Sequence, residues 1–402
     1  MSKSNSVQSA IALSFPRGFN STVASIVTLF LLLLAVVSNA AEPLSTWHVR
    51  TSPYGSTNDW KAVAFGNGRF VAVGSIQGLA MTSTNGTDWT AQSANTNKAF
   101  YGLAFGNGKF VAVGSSGIVM TSTDGASWQP RNSGTSAHLY GVRYNNDRFV
   151  AVGASGAIIS STDGVTWNSH NTGTTNKWEA TAYGNGVHVV VGYRSASPGT
   201  LTRSAASPTL SNWDVRDTGT SMYLSGVAFG LGRFAACGYN GTMQTSTNGV
   251  DWEAATSPAG TWLYNATFAN NTFVAVGENG VIRVSTNGTV WSTVRNGSGQ
   301  VLEGAAFGNN TWVAVGHDGL ILQSSPVTTQ NGGTLTLTDA TCLNGQFSFK
   351  FNGTPGQSYV IEASTNLTSW STLTTILCTN SPMNCTLSGQ TAPRRFYRVK
   401  QM

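Results

Sequence analysis

Between residues 60 and 325 the chain repeats one order of apolar and polar positions. A short apolar stretch such as GLAF meets a Gly/Asn turn, the continuous apolar run FVAVG follows, and a third stretch leads into Ser-Thr-Asp/Asn-Gly-x-x-Trp before a polar segment. The copies are anchored at Phe65, Phe105, Tyr144, Tyr183, Phe229, Phe268 and Phe307, at intervals of 40, 39, 39, 46, 39 and 39 residues. Continuous apolar runs fit strands covered on both faces, and the Gly/Asn turns fit tight hairpins. Four strands in each of seven units at this period predict an all-β chain built as a seven-bladed β-propeller.

The tryptophans say how the ring closes. Trp89, Trp128, Trp167, Trp213, Trp252 and Trp291 each open a fourth strand, whereas the seventh unit runs into Ser324-Ser325-Pro326 without one. The missing copy stands ahead of the first unit, where STWHVRTS carries Trp47 and resembles NWDVRDTG. The N-terminal strand is therefore expected to complete the last blade, removing an open sheet edge and making Trp47 structural. Arg50, Arg131 and Arg216, with His170, share one slot after the blade tryptophans and are expected on solvated outer strands. Cys237 replaces a valine of FVAVG and reads as a buried thiol.

Composition adds a leader and removes some partners. Lys3 and Arg17 precede the apolar run Val23 to Val37 and the small residues Ser38-Asn39-Ala40, which predicts a signal peptide cleaved after Ala40. A retained anchor is the alternative, but the run is short against the ~20 residues that span a bilayer. A secreted or extracytoplasmic (periplasmic or cell-envelope) bacterial protein with no membrane span after cleavage follows. Of 22 basic and 16 acidic residues, two basic ones leave with the leader, so a surplus of only four remains. The one dense basic cluster is Arg394, Arg395, Arg398 and Lys400, and nucleic acid is discounted. No zinc, P-loop or nucleophile-elbow motif occurs, so no metal or cofactor is expected; the chain reads as a monomer.

With Asn85, Asp124, Asp163, Asn248 and Asn287 in their turns, the repeats resemble the Asp-box or BNR-like propellers, a family that includes sialidases and photosystem II assembly factors. The match covers the propeller, although the spacing here is one residue shorter than Ser-x-Asp-x-Gly-x-x-Trp. It implies fold rather than activity. Asp and Asn alternate freely at the motif position, so the turn reads as structural, its side chain accepting the turn's own amides. The sialidase pattern of six blades, three converging arginines and a Tyr/Glu pair is not matched.

Candidate binding residues come from one slot per blade. Four positions before the first-strand aromatic stand Lys61, Tyr101, Tyr140, Glu179, Ser225, Tyr264 and Glu303, which would ring the axis. Trp60, Phe100, Trp178 and Trp262 lie close before them, and neighbouring turns add Tyr193, Arg194, Tyr239, Glu278, His317 and Asp318. Aromatic faces beside hydrogen-bonding groups suit sugars or extended peptides; the alternative is that the aromatics pack between blades. The reading is a non-catalytic binding or scaffold propeller that recognises an envelope or extracellular protein, or a glycan, through its axial face. The competing reading is a glycoside hydrolase-like enzyme using Glu278, Glu303, His317 and Asp318. Blade four departs most, with YRSASPGTLTRSAASPTLSNW read as long irregular loops that carry function or are tolerated insertions.

After Pro326 the repeat stops. Residues 1–40 are assigned to the signal peptide, 41–325 to the propeller, 326–333 to a linker and 334–402 to a small β-sandwich with strands TLTLT, FSFKF, SYVIEAS, WSTLTT and RFYRVK. SYVIEASTNLTSW and RRFYRV resemble a C-terminal module appended to many secreted proteins of Verrucomicrobia-like bacteria. Export favours a disulfide between Cys378 and Cys385, with Cys342 as an alternative partner.

Overall fold

The computed structural model describes residues 9–14, 44–195, 200–297, 299–327, 337–343, 346–351, 358–365, 369–378, 382–388 and 394–401. Two compact units emerge, one of residues 41–328 and one of residues 1–40 with 329–402. The larger unit holds seven four-stranded antiparallel sheets. Their first strands are Trp60–Gly66, Phe100–Gly106, Leu139–Asn145, Lys177–Gly184, Leu224–Gly230, Leu263–Ala269 and Leu302–Gly308. Each touches the next, and the last touches the first, so the ring closes around a central axis. The FVAVG runs form the second strands, and Phe70, Val71, Ala72 and Val73 of blade one are each 0% exposed.

Trp47–Arg50 is the outer strand of blade seven, paired antiparallel with Ile321–Ser324. The Trp47 indole donates to Leu44 O at 2.8 Å. Across the seam, Gln323 Nε2 donates to Asn85 O at 2.7 Å, and Asn309 Nδ2 reaches Thr84 O at 2.5 Å. Ring closure thus rests on a strand ladder and on side-chain bonds between blades seven and one.

A packing rule explains the aromatic-glycine pair that ends five of the seven first strands, Asn145 and Ala269 taking the glycine slot in blades three and six. A Cβ on Gly66 would lie 2.1 Å from the Phe105 ring, on Gly106 1.9 Å from Tyr144, and on Gly308 2.1 Å from Phe65. In those five blades the glycine lies under the aromatic of the next blade, where a Cβ would meet the ring unless the ring shifted.

In the tryptophan turns the side chains replace missing backbone partners. Gly125 N–H donates to Ser122 Oγ at 2.8 Å, the amides of Ala126 and Ser127 donate to Asp124 Oδ1 at 2.9 and 2.8 Å, and the Trp128 indole donates to Gly125 O at 3.0 Å. Asn85, Asp163, Asn248 and Asn287 accept the corresponding pairs of amides. These amides hold the carboxyls of Asp124 and Asp163 down to about 2, against desolvation that opposes the shift. In blade four Leu210 occupies the turn at φ 64°, and the Trp213 indole donates to its carbonyl at 3.1 Å.

Blade four differs from expectation. Its extra residues lengthen a hairpin, Val187–Ser195 against Thr200–Ser207, paired as far as Ser195 and Thr200. Continued backbone pairing absorbs the insertion; residues 196–199 lie outside the described residues. Val327, assigned above to the linker, is 6% exposed and packs against the last blade, its amide donating to Asn310 O at 2.6 Å. The expected cleavage site lies outside the described residues, as does most of the linker.

In the smaller unit a four-stranded sheet runs in the order Ser9–Ser14, Arg394–Gln401, Ser358–Ser364, Ser371–Leu377, its first strand coming from the segment assigned above to the leader, and a three-stranded sheet in the order Leu337–Leu343, Gln346–Phe351, Met383–Leu387. Phe347, Phe349, Tyr359, Ile361, Tyr397 and Val399 fill the core the two sheets share. Arg398 of the basic cluster pairs with Glu362 and lies over the Trp370 ring at 4.2 Å. The expected Cys378–Cys385 bridge is not formed. Cys378 follows a strand of one sheet, whereas Cys385 lies in an unpredicted strand of the other, opposite Phe349. Burial there pushes the Cys385 thiol up to about 11.

Candidate functional site

Every first strand carries one β-bulge, and it falls in the same place each time. In blade one Trp60 pairs with Gly74 and Ala62 with Val73, which leaves Lys61 as the extra residue. The same shift isolates Tyr101, Tyr140, Glu179, Ser225, Tyr264 and Glu303. A bulge re-aims the side chain it isolates, and all seven of these residues line one cavity of about 420 Å³ on the axis.

The bulge also explains which neighbouring aromatics reach that cavity. The residue before each bulge position faces the blade interior, so Trp60, Phe100 and Trp178 are 0% exposed, as are Leu139, Leu224, Leu263 and Leu302. Trp178 is therefore a core residue, contrary to its assignment above to binding. Trp262 lies one position earlier in the repeat, in the slot of Lys177 and Tyr223, and all three line the cavity. Grouping Trp262 with Trp178 was an error of one register position.

Blades four to six build an aromatic wall. Tyr193 and Tyr223 have ring centroids 4.4 Å apart, Tyr239 meets Trp262 edge-on at 5.2 Å, and Trp262 stacks on Tyr264 at 5.0 Å. The Trp262 indole donates to Ser225 Oγ at 2.9 Å. Glu278 accepts from the Trp262 amide at 3.2 Å and from the Tyr264 hydroxyl at 3.5 Å. Desolvation and the carboxylates of Glu278 and Glu303 push the Tyr264 phenol up to about 12, so it stays protonated as a donor.

Across the cavity the charges come in pairs. Lys61 Nζ lies 2.7 Å from Glu303 Oε1, and His317 Nε2 lies 2.8 Å from the same oxygen. Burial alone would raise the Glu303 carboxyl, but the His317 hydrogen bond and the Lys61 charge prevail and hold it below its ordinary range. Lys177 pairs with Glu179 at 2.7 Å and lies over the Tyr140 ring at 4.2 Å. Glu179 is raised, chiefly by desolvation. His317 thus sits on the rim through Glu303, while Asp318, at φ 53°, takes the left-handed turn position that Ser116, Ser155, Asn240 and Asn279 occupy elsewhere. It does not line the cavity.

One residue was missed. The position just before the first-strand aromatic is alanine in blades one, two, four, five and seven and threonine in blade six, but blade three has Arg143. That outlier was the available signal. Arg143 lines both the axial cavity and a second one of about 340 Å³ on the far side, so its side chain stands across the channel between them. Its Nη2 donates to Asn265 Oδ1 at 3.3 Å and to Ala266 O at 3.2 Å in blade six.

Comparison with known proteins follows this geometry. The model of the DUF6242 beta propeller domain matches residues 44–177. None of the curated proteins matches the chain. Among solved structures, YCF48 from Cyanidioschyzon merolae is 17% identical, with a TM-score of 0.55 over 70% of this chain and 99% of that one. A structure described as YCF48 bound to D1 peptide gives 17% and 0.55 over 69% and 94%. A catalytically inactive virginiamycin B lyase from Staphylococcus aureus, solved with quinupristin, is 8% identical with a TM-score of 0.60 over 69% and 98%. In sequence the N-terminal part is thus similar to the DUF6242 beta propeller domain, and at these identities the solved structures share with the chain a β-propeller fold alone.

Proposed function

We propose that the protein is a non-catalytic recognition module that binds a glycan segment in its axial cavity, working outside the cytoplasm once its leader has been removed. The observation that carries this reading is the set of seven bulges. The scaffold repeats, while the residues it turns toward the axis do not: Lys, Tyr, Tyr, Glu, Ser, Tyr and Glu. Tyrosine and tryptophan rings with a polar handle, beside ammonium and carboxylate groups held 2.7 Å apart, offer apolar faces and adjacent donors and acceptors, as a sugar requires. The tryptophan turns are read as Asp-box-like and purely structural.

An extended peptide is the second reading, favoured by the similar fold of YCF48, whose structure with a D1 peptide shows a propeller holding a peptide. Hydrolysis fits less well. A glycosidase acid needs a raised carboxyl; of the acids in the last two blades Glu303 is lowered and Glu278 is engaged by Trp262 and Tyr264, and the raised carboxyl of the cavity, Glu179, is held by Lys177 at 2.7 Å.

A glycan array with the full chain, followed by Tyr101→Ala plus Tyr264→Ala and by Glu303→Gln, tests the reading. Binding without turnover that is lost in the tyrosine variant is expected. Polysaccharide cleavage abolished by Glu303→Gln, or an array without a hit, overturns it.

A further inference from the structure

Resting on that reading, the geometry points to a carboxylate subsite on the cavity floor: we propose that the glycan carries one acidic sugar, a uronate, whose carboxylate is bound by the Arg143 guanidinium.

Charge counting at the cavity wall carries the argument. Its lining includes three cationic side chains, Lys61, Arg143 and Lys177, and two anionic ones, Glu179 and Glu303. Each lysine already has its carboxylate, at 2.7 Å in both cases. Arg143 has none among the described residues; its Nη2 donates to two neutral oxygens, those of the Asn265 side chain and the Ala266 carbonyl. A guanidinium presents five donors in a planar fork that matches a carboxylate, and a desolvated cation left without a counter-charge costs free energy that an incoming anion recovers. The surplus is one charge, which selects one acidic group.

Position supports the same conclusion. Arg143 bonds to Asn265 and Ala266, one and two positions beyond Tyr264 and three and four beyond Trp262, so its remaining donors lie at the foot of the aromatic wall. A sugar ring held against that wall would direct an exocyclic carboxylate toward the axis. Packing against blade six already fixes the guanidinium, so little side-chain entropy remains to be lost on binding.

The test is titration calorimetry of the full chain with an aldobiuronic acid, one uronate joined to one neutral sugar, and with its methyl ester. The acid should bind at least tenfold more tightly. In Arg143→Met that preference should vanish, and in Arg143→Lys part of it should survive. Asn265→Asp, which sets a carboxylate where the amide now accepts from Nη2, should remove the preference while keeping the fold, as checked by circular dichroism, so the proposal stays testable even if Arg143→Met fails to fold. Equal binding of acid and ester overturns the subsite but leaves glycan recognition standing. A preference that persists in both Arg143→Met and Asn265→Asp overturns Arg143 as the receptor. Binding of neither sugar, with a peptide acid preferred over its amide, overturns the uronate together with the glycan reading.

Discussion

Replacing Trp47 by alanine should open the ring at one identified place. Among the described residues Trp47 begins the one outer blade strand remote in sequence from the rest of its blade, and it packs partly buried against the Trp312 and Leu322 cluster. A fully buried tryptophan removes on the order of 200 Å² from water. At about 25 cal/mol per Å², reduced for partial burial and for a compact unfolded chain, the loss comes to about 2–3 kcal/mol. The Trp47–Leu44 hydrogen bond adds about 1 kcal/mol. For a propeller of this size the total corresponds to a fall in Tm of roughly 5–7 °C. Calorimetry measures that fall, and hydrogen exchange locates it: amides of Trp47–Arg50 and Ile321–Ser324 should lose protection before those of other blades. Trp128→Ala, within a locally closed blade, should lower Tm without selectively exposing that seam. Unchanged exchange at Trp47–Arg50, or loss of protection spread evenly over all blades, would refute closure by this strand.

Leu231 should be improvable. It sits at φ 52°, 48% exposed, in the hairpin turn where Asn67 and Asn185 donate to carbonyls of the next blade. Leu231→Asn should stabilise by about 0.5–1 kcal/mol in urea titration, through relief of the left-handed strain and a restored bond between blades. Gly106→Ala should destabilise by about 2 kcal/mol or more, because a Cβ there meets the Tyr144 ring at 1.9 Å; a neutral result in the same assay would contradict the packing rule. Acid stability follows from Asp124 and Asp163, whose carboxyls lie at about 2 in the folded chain and near 3.9 unfolded. Lowered folded values stabilise fully above pH ~4, and the contribution is lost as pH falls through 2. Discounted for solvent screening it amounts to about 1 kcal/mol per residue. The Asp124→Asn plus Asp163→Asn variant, which keeps the accepting oxygens, should show a flatter loss of stability between pH 4 and 2 by circular dichroism.

Much of this was legible because each blade repeats one physical problem. A strand covered on both faces must be apolar throughout, and a glycine must yield to the next blade's aromatic, so the period and the Trp47 closure appear in residue type alone. The cavity ring was legible for the same reason, since the bulge keeps its place in every copy. Trp262 and Trp178 were confused because a bulge changes which face a residue takes without changing its chemistry. Arg143 was not legible as a lining residue because its slot is apolar or small in the other six blades and marks a wall position there, broken once. In blade four the residues of the insertion are small and polar, and nothing in them distinguishes a loop from a longer hairpin whose stability comes from backbone pairing. Met383–Leu387 was missed because its apolar positions face a core that only the completed small unit supplies.

The seven bulges separate two demands that most strands must meet together. Because the isolated residue has left the ladder, its identity is not set by a backbone-paired partner, although contacts such as Lys61–Glu303 and Trp262–Ser225 tie some of these positions to a neighbouring blade. The axial lining therefore behaves as a seven-position alphabet written on a repeating scaffold, in which paired letters such as Lys61 and Glu303 are rewritten together.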